Sequence, residues 1–375
     1  MLRKFLLLVL GIAMSTAGQS VSAEKLATVW FGTRGSSKGI YRATLDMESG
    51  TLSEAELAAE IVNPGFLCIN KAGDRLYSLG NIGGSDDNVT AFEIAPDRKT
   101  LKLLGSANSG CGKATHISLS LDEKTLLLAH YGGGAVAALP IADDGSILPP
   151  TSQIHHSGAS INKQRQDKPH PHWIGPTPKN RFVVVPDLGT DEVVVYRLDE
   201  QKHTLKRHGA GEVPPGSGPR HMKFHPDGKW AYVLNELGLT VTAFEYDSDR
   251  GSLDQIQTVV ALPESELKDI TTLGSEIRMH PSGKFVYAAI RGHDVIAVFQ
   301  VDPNSGKLTL IEREPVRGSW PRNFGLDPTG HWLLAAGAES STVAVFRIDQ
   351  STGQLTFTRR IINVPEPICV EFLAH

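Results

Sequence analysis

Four histidines lie close together near the middle of the chain and suggest a metal site at first sight. His155 and His156 fall in a polar stretch, and His170 and His172 follow it in Pro-His-Pro-His. A protein metal site needs several ligands whose spacing lets them converge on the ion. Asp167 is the one nearby carboxylate at such a spacing. The pattern therefore does not favour a metal site, and we expect the protein to use no cofactor.

Residues 35–39 read Gly-Ser-Ser-Lys-Gly and match the letters of the G-x-S-x-G motif, in which the serine is a nucleophile. That motif requires a sharp turn from a strand into a helix. Here the motif joins two strand-like segments, 27–31 and 39–43. The sequence therefore predicts a hairpin loop and not a catalytic serine.

The three cysteines, Cys68, Cys111 and Cys369, do not have a metal-binding spacing such as C-x-x-C. Because their number is odd, at least one has no partner within the chain. Cys68 and Cys369 lie in apolar, strand-like runs, where a thiol behaves as a small buried hydrophobic group. We expect buried free thiols. A disulfide between Cys68 and Cys369 is the alternative, since export would place the protein in an oxidising compartment.

The elements that must position functional side chains repeat along the chain. Each unit contains a short strand, a Pro-x-Gly turn, an apolar strand and an alternating strand, and the plainest copies begin at Arg220, Arg278 and Asn323. Their apolar strands are predicted at 230–234, 285–290 and 332–336, and their alternating strands at 241–246, 295–301 and 343–348. Weaker copies begin near Asn63, Gly112 and Pro169.

Short strands that recur at roughly 45–55 residues per unit are typical of the blades of a β-propeller. One four-stranded sheet cannot bury both of its faces, whereas radial stacking buries each face against the next blade. Six units run from residue 63 to 349, and the end pieces 26–57 and 353–375 together make a seventh. The sequence predicts an all-β, seven-bladed β-propeller whose ring is closed by strands from both termini. Six or eight blades are the alternatives.

Residues 1–23 have the form of a signal peptide. Two basic residues precede an apolar run at 5–14, and Val-Ser-Ala stands directly before Glu24. The apolar run is shorter than the ~18–20 residues that span a bilayer. We expect a periplasmic or secreted protein that begins at Glu24 and has no membrane span in its mature chain. An uncleaved N-terminal anchor is the alternative.

The charge of the chain is nearly balanced. Its 375 residues carry a formal net charge of -4, which gives no reason to expect nucleic acid as a partner. A propeller that closes on itself needs no second copy, so we expect a monomer whose partner is a small molecule.

Several runs of residues, in order along the chain, match a known family. They are 186–191 (Pro-Asp-Leu-Gly-Thr-Asp), 218–226 (Gly-Pro-Arg-His-Met-Lys-Phe-His-Pro), 232–237 (Tyr-Val-Leu-Asn-Glu-Leu), 291–294 (Arg-Gly-His-Asp) and 320–324 (Trp-Pro-Arg-Asn-Phe). Taken together, residues 24–375 resemble the 6-phosphogluconolactonase-like lactonase propellers, which include bacterial 6-phosphogluconolactonases and fungal carboxymuconate-lactonising enzymes. The resemblance implies a lactone hydrolase.

The resemblance also implies a central pocket that contains a histidine, two arginines and a glutamate. The matching catalytic positions in this sequence are His172, Arg220, Glu236 and Arg291. His170 competes with His172 for the first role, and we expect only one of the two rings to face the channel. Further substrate contacts are expected from His170, His221, Arg322 and Asn323.

Hydrolysis of a sugar lactone needs an activated water, stabilisation of the oxyanion and a group that holds the anionic part of the substrate. Arg220 and Arg291 offer permanently charged forks suited to a carboxylate or phosphate. Glu236 or His172 would be the general base. Each side chain could instead be structural. The arginines could pair with a carboxylate of a neighbouring blade, and Glu236 could cap a turn. His172 could be a histidine whose hydrogen bonds are all made within the fold.

Three functions follow from this pattern. The first is hydrolysis of an aldonolactone or its 6-phosphate, and export favours the unphosphorylated compound because phosphorylated gluconolactone is a cytoplasmic intermediate. The second is a cycloisomerase that closes or opens a muconate-type lactone. The third is a non-catalytic exported propeller that binds a ligand or a protein, because a fold alone does not settle function.

Overall fold

The computed structural model describes residues 25–82, 88–179, 181–267 and 271–373. Within these residues, 29 β-strands form seven antiparallel sheets, and the one helical element is a 3₁₀ turn at Glu264–Glu266. The segment predicted to be a signal peptide lies outside the described residues. In the described part of the chain, no helix has the length and apolar character needed to cross a membrane.

Each sheet is one blade of a propeller. Blade 1 begins with β1 (Leu26–Thr33), β2 (Gly39–Asp46), β3 (Thr51–Leu52) and β4 (Glu56–Glu60). Blade 2 contains β5 (Leu67–Ile69), β6 (Arg75–Leu79), β7 (Asn88–Ile94) and β8 (Leu101–Asn108). Blade 3 contains β9 (His116–Leu119), β10 (Thr125–His130), β11 (Ala135–Pro140) and β12 (Ser152–His155). Blade 4 contains β13 (Gly175–Pro176), β14 (Phe182–Asp187), β15 (Glu192–Asp199) and β16 (Thr204–Glu212).

The plain sequence repeats form the next three blades. Blade 5 contains β17 (Pro219–Phe224), β18 (Trp230–Asn235), β19 (Thr240–Asp247) and β20 (Ser252–Val260). Blade 6 contains β21 (Leu273–Met279), β22 (Phe285–Arg291), β23 (Val295–Val301) and β24 (Leu308–Pro315). Blade 7 contains β25 (Pro321–Leu326), β26 (Trp332–Gly337), β27 (Thr342–Ile348) and β28 (Leu355–Asn363), and β29 (Pro367–Phe372) completes blade 1. The predicted apolar and alternating strands of these repeats are confirmed.

Both ends of the chain close the ring, as predicted. Strand β1 pairs with β2 on one side and with β29 on the other, where Phe31 lies opposite Val370. Strand β29 also contacts the first strands of the two neighbouring blades, β25 and β5. It is therefore the innermost strand of blade 1, and the last strand of the chain holds the first strands in place.

One boundary of the repeat differs from the sequence prediction. The sequence pattern predicts that all of residues 353–375 belong to the blade that both termini build. In the structure, β28 instead pairs with β27 as the outer strand of blade 7. Only β29 returns to blade 1. Turn-forming residues precede both β28 and β29, so the sequence pattern alone does not show where blade 7 ends.

Apolar side chains are buried between blades and not within one blade. One buried cluster joins blades 5 and 6 through Tyr232, Val241, Val286 and Phe299. Other clusters join blades 3 and 4, 4 and 5, and 6 and 7 in the same way. Burial of each such side chain contributes about 1.5–3 kcal/mol to the free energy of folding. Most of this stabilisation therefore comes from contacts between neighbouring blades.

A tyrosine hydroxyl also links neighbouring blades at three places. Tyr232 donates to the carbonyl of Gly306 in the next blade at 3.0 Å, and Tyr287 donates to that of Gly353 at 2.9 Å. Tyr77 makes the same bond to Gly145 at 3.2 Å. Because a buried hydroxyl without a partner is costly, these bonds fix the rotation of one blade on the next.

The structure also tests the predictions for the three cysteines and for residues 35–39. All three cysteines are free thiols, so the alternative disulfide between Cys68 and Cys369 is wrong; Cys111 and Cys369 are buried and Cys68 is half-buried. Residues 35–39 belong to the hairpin loop between β1 and β2, as predicted. There the backbone N–H of Ser36 donates to a carboxylate oxygen of Glu366 at 3.0 Å.

Candidate functional site on the propeller axis

Two arginines reach the axis because the innermost strands carry β-bulges. In β17 the pairing passes from Pro219 opposite Asn235 to His221 opposite Leu234, so Arg220 is the extra residue. In β25 the pairing skips Arg322 in the same manner. A bulge bends the strand and re-aims the side chain of the unpaired residue. The repeat thus supplies two arginines at equivalent places in blades 5 and 7.

A second set of side chains stands at the ends of the second strands. Glu236 directly follows β18, Tyr131 directly follows β10, and Arg291 is the last residue of β22. Together with His172, these three residues line a cavity of about 260 Å³, which we call the axial cavity. Its remaining lining residues are Thr115, Arg165, Leu273 and Arg322.

Glu236 is the centre of an ion-pair cluster beside this cavity. Its Oε2 lies 2.9 Å from Nε of Arg220 and 3.1 Å from a guanidinium nitrogen of Arg291, and its Oε1 accepts a hydrogen bond from Arg165 at 2.6 Å. Burial alone would raise the pKa of Glu236, but Arg291 and Arg220 outweigh it and the pKa falls below its usual value. Glu236 is therefore an ionised carboxylate with both oxygens occupied.

Arg220 lies behind Glu236, and the cavity wall does not include it. Its side chain is fully buried, and it donates both to Glu236 and to the backbone oxygen of Ser275. One guanidinium nitrogen of Arg220 has no partner among the described residues. The structure thus places Arg220 beneath the carboxylate and not at the predicted substrate surface.

Arg291 and Arg322 do line the axial cavity. Arg291 also donates to the carbonyl of Gly274 at 2.9 Å, and its guanidinium stacks 5.4 Å from the ring centroid of Trp320. The Nε atoms of both arginines are buried without a partner in the described part of the chain. Arg291 and Arg322 therefore bring positive charge with unused hydrogen-bonding capacity to the wall of the axial cavity.

The two competing histidines occupy different places. His172 lines the axial cavity, and its Nδ1 has no partner within the described ranges. His170 instead stacks on the ring of Tyr131 at 4.3 Å, with its Nδ1 2.9 Å from the tyrosine carbonyl oxygen. The segment that carries both histidines precedes β13 and makes an isolated bridge between Pro171 and Asp187. His170 positions Tyr131, which itself faces the cavity.

His172 is an uncharged imidazole in this environment. Burial, followed by the positive charge of Arg220, lowers the pKa of His172 well below 6.5. A neutral ring nitrogen in a cavity can accept a proton from water. Of the two predicted bases, His172 has a free acceptor, whereas both oxygens of Glu236 are engaged.

His221 and Asn323 lie deeper in the channel and bond to the same carboxylate. The Nδ1 of His221 is 3.2 Å from Oε2 of Glu276, and the amide of Asn323 donates to the same oxygen. The Oδ1 of Asn323 accepts a hydrogen bond from the backbone of Val370 at 3.0 Å. Both side chains are fully buried, and neither lines the axial cavity. They join the inner strands of blades 5, 6, 7 and 1.

Sequence reasoning missed Arg165 and Tyr131. Arg165 comes from the polar loop between β12 and β13 and also lies 3.3 Å from the hydroxyl of Tyr131. Two signals could have found them. Loops longer than ~12–15 residues in a compact domain are usually functional, and Tyr131 follows its strand as Glu236 follows β18.

Two aspartates hold the loop that carries Arg165. Asp187 lies 2.7 Å from Nδ1 of His156 at the start of the loop. Asp191 accepts a hydrogen bond from the hydroxyl of Ser160 at 2.5 Å and one from the backbone of Gly218 at 2.7 Å. The loop is thus tied to the turn before β17, which fixes Arg165 relative to the axial cavity.

The histidines of this region do not gather into a metal site. His156 pairs with Asp187, His170 stacks on Tyr131, and His155 is exposed. Among the described residues, no group of three His, Cys, Asp or Glu side chains is arranged to hold a metal ion. The axial cavity instead offers guanidinium groups, one carboxylate and one neutral imidazole.

The fold and the site define a class: a seven-bladed propeller with an arginine-lined cavity for a small molecule on its axis. Residues 28–372 match the family model described as "Lactonase, 7-bladed beta-propeller". The 6-phosphogluconolactonase of Bacillus subtilis (strain 168) is 39% identical over 341 residues, which are 91% of this chain and 96% of that protein. The chain therefore belongs to the lactonase family of seven-bladed β-propellers.

Solved structures of related proteins also resemble this chain over almost its whole length. A putative 6-phosphogluconolactonase from Bacteroides fragilis NCTC 9343 superposes with a TM-score of 0.86 at 34% identity, covering 93% of this chain and 98% of that one. A periplasmic gluconolactonase from Pseudomonas aeruginosa superposes with a TM-score of 0.86 at 30% identity, covering 92% and 99%. Both likenesses extend over almost the whole chain.

Proposed function

We propose that this protein is a carboxylic-ester hydrolase that opens a sugar lactone to its acid. The observation that carries the proposal is the axial cavity, which the neutral imidazole of His172 lines together with the guanidinium groups of Arg291 and Arg322. Membership in the lactonase family, and relatives that are a 6-phosphogluconolactonase and a gluconolactonase, support the same reaction.

In the proposed reaction, His172 takes a proton from a water molecule whose oxygen attacks the lactone carbonyl. The carbonyl oxygen becomes an oxyanion, and the free donors of Arg291 and Arg322 stabilise it. When the intermediate collapses, the bond between the carbonyl carbon and the ring oxygen breaks. The protonated His172 returns its proton to that ring oxygen, which leaves as a hydroxyl group, and the product is an aldonic acid.

Glu236 and Arg220 have supporting roles in this proposal. The ionised carboxylate of Glu236 fixes the guanidinium groups of Arg291 and Arg165 at the cavity wall, and Arg220 fixes the carboxylate from behind. Without the carboxylate, the three arginines would repel one another. We therefore propose Glu236 as the residue that keeps the oxyanion donors in place, with Arg220 as its positioning residue.

We propose that the protein acts in the periplasm or outside the cell. Residues 1–23 have the form of a signal peptide, and a periplasmic gluconolactonase is among the similar structures. The assay of gluconolactone and its 6-phosphate decides between an unphosphorylated and a phosphorylated substrate.

The test is hydrolysis of gluconolactone and its 6-phosphate by the chain that starts at Glu24, compared with the His172→Asn variant. We expect the wild type to exceed the spontaneous rate and the variant to lose about a hundredfold or more in kcat. Circular dichroism confirms that the variant is folded. Spontaneous rates with every lactone tested would refute the proposal, and turnover of a muconate-type dicarboxylate alone would favour the cycloisomerase.

A further inference from the structure

A second cavity of about 230 Å³ adjoins the axial cavity, and we call it the side cavity. Thr115 and Arg322 line both cavities, so the two cavities meet at these two side chains. The side cavity lies between blades 1, 2 and 3, beside the hairpin loop that follows β1. No residue that the sequence resemblance indicated, apart from Arg322, contributes to it.

The charged residues among the described lining of the side cavity are cations. They are Arg34, Lys113 and Arg322, and no described lining residue is a carboxylate. The Nε of Arg34 is buried without a hydrogen-bond partner in the described part of the chain, and Lys113 is exposed. Glu366 lies 3.7 Å from Arg34 but outside the lining. The described lining of the side cavity therefore carries a net positive charge.

Asn63 adds a neutral donor at the same place. Its Oδ1 accepts a hydrogen bond from the backbone of Gly35 at 3.0 Å, which fixes the side chain. Asn63 is half-buried and lines the side cavity. An amide held beside cationic side chains is suited to the oxygens of an anion.

The rest of the wall is apolar. Phe66, Leu79 and Ile368 line the side cavity. Phe66 and Leu79 belong to the buried cluster that joins blades 1 to 3, so this wall is rigid. Such a wall accepts the carbon chain of a sugar, whereas the cations accept a charged group at its end.

We propose that the side cavity is a specificity subsite for a terminal anionic group, phosphate or carboxylate, carried on the carbon chain of a lactone whose ring lies in the axial cavity. This inference rests on the proposed function, because it assumes a lactone in the axial cavity. It assigns Arg34, Lys113 and Asn63 to recognition of that group. Arg322, shared by both cavities, lies between the reacting carbonyl and the anionic end.

The electrostatic surroundings agree with this assignment. Burial, Arg291 and Arg34 lower the pKa of Arg322 to about 10, so Arg322 remains charged at neutral pH. Like charges brought this close repel one another, and an anion between them relieves the repulsion. A neutral lactone gains nothing from this arrangement, so the side cavity discriminates by charge.

The test uses binding of the product acids to the mature chain, measured by calorimetry with gluconate, 6-phosphogluconate and glucarate. We expect at least one of the two acids with a charged end to bind about tenfold tighter than gluconate. Preference for 6-phosphogluconate identifies a phosphate, and preference for glucarate a carboxylate. Equal binding of all three acids overturns the proposal.

Substitutions locate the preference in the side cavity. Lys113→Ala and Arg34→Gln should each reduce the preference for the charged acid about tenfold. Lys124→Ala is the matched control, because Lys124 is exposed at the opposite end of β9 and lines neither cavity. A preference that survives in both Lys113→Ala and Arg34→Gln refutes the assignment.

Hydrolysis of neutral gluconolactone is measured in parallel and reports on the proposed function alone. If the wild type binds the charged acids selectively but hydrolyses no lactone, the proposed reaction fails and the subsite stands as an anion site. If the wild type hydrolyses gluconolactone but binds the three acids equally, the subsite fails and the proposed reaction stands.

Discussion

Arg165 donates a hydrogen bond of 2.6 Å to Oε1 of Glu236, although 71 positions separate the two residues in the chain. The bond joins the loop of blades 3 and 4 to the end of β18 in blade 5. It closes one side of the axial cavity, which Arg291 and Arg322 also line. A loop without regular structure thus completes a site that the blades otherwise build.

Replacement of Arg165 tests the role of this bond. In Arg165→Gln we expect kcat on gluconolactone to fall by about tenfold to a hundredfold, because the carboxylate of Glu236 loses one of its three partners and shifts. The melting temperature should change little, since the Arg165 side chain is about a third exposed. Lys163→Gln, in the same loop, is the control, because Lys163 is exposed and contacts only a backbone oxygen. An unchanged kcat would contradict the role.

The buried ion pairs make a prediction about stability. Glu236→Ala leaves the fully buried Arg220 and the buried Arg291 without their carboxylate, so we expect the free energy of unfolding to fall by about 3 kcal/mol. Urea denaturation measures the change. Arg220→Met in the same chain should restore part of the loss, since it removes an orphaned charge. Strictly additive losses in the double variant would argue against the coupling.

Buried histidines predict a loss of stability in acid. Burial is the main cause that lowers the pKa values of His116, His172 and His221 well below 6.5. The unfolded chain therefore binds protons at these sites below pH 6.5 that the folded chain does not bind, so stability falls as the pH falls through 6.5. Each histidine contributes about 1.4 kcal/mol per pH unit.

Urea titrations above and below pH 6.5 measure how the free energy of unfolding changes with pH. The His116→Leu variant should reduce this slope by the contribution of one histidine, about 1.4 kcal/mol per pH unit. An unchanged slope in the variant would show that His116 titrates alike in both states. The same shift of the His172 pKa predicts that kcat stays constant as the pH falls to 6.5, because the general base remains unprotonated there.

Ring closure can be tested by removing β29. A chain that ends at Glu366 leaves β1 paired with β2 alone and uncovers the inner faces beside β25 and β5. We expect such a chain to lose its cooperative unfolding transition and to be degraded rapidly in limited proteolysis. A chain that ends at Leu373 keeps β29 and is the control. Cooperative unfolding of the shorter chain would show that the pairing of β29 with β1 is not needed for ring closure.

Much of this architecture followed from the sequence by itself. The recurring strand pattern determined the blades, because apolar segments must be buried and a single sheet cannot bury both faces. The same repeat placed Arg220 and Arg322 at the start of inner strands and Glu236 and Arg291 at the ends of second strands. Positions within a blade depend on local pattern, and a sequence displays local pattern directly.

Only the tertiary structure decided what each of these side chains touches. Arg220 and Arg322 hold equivalent places in their blades, yet one is buried under Glu236 and the other lines two cavities. The ring of His170 turns to Tyr131, and Arg165 reaches Glu236 from a loop that has no repeat signature. Neighbours across the axis come from distant parts of the chain, so their contacts exist only after all seven blades have closed.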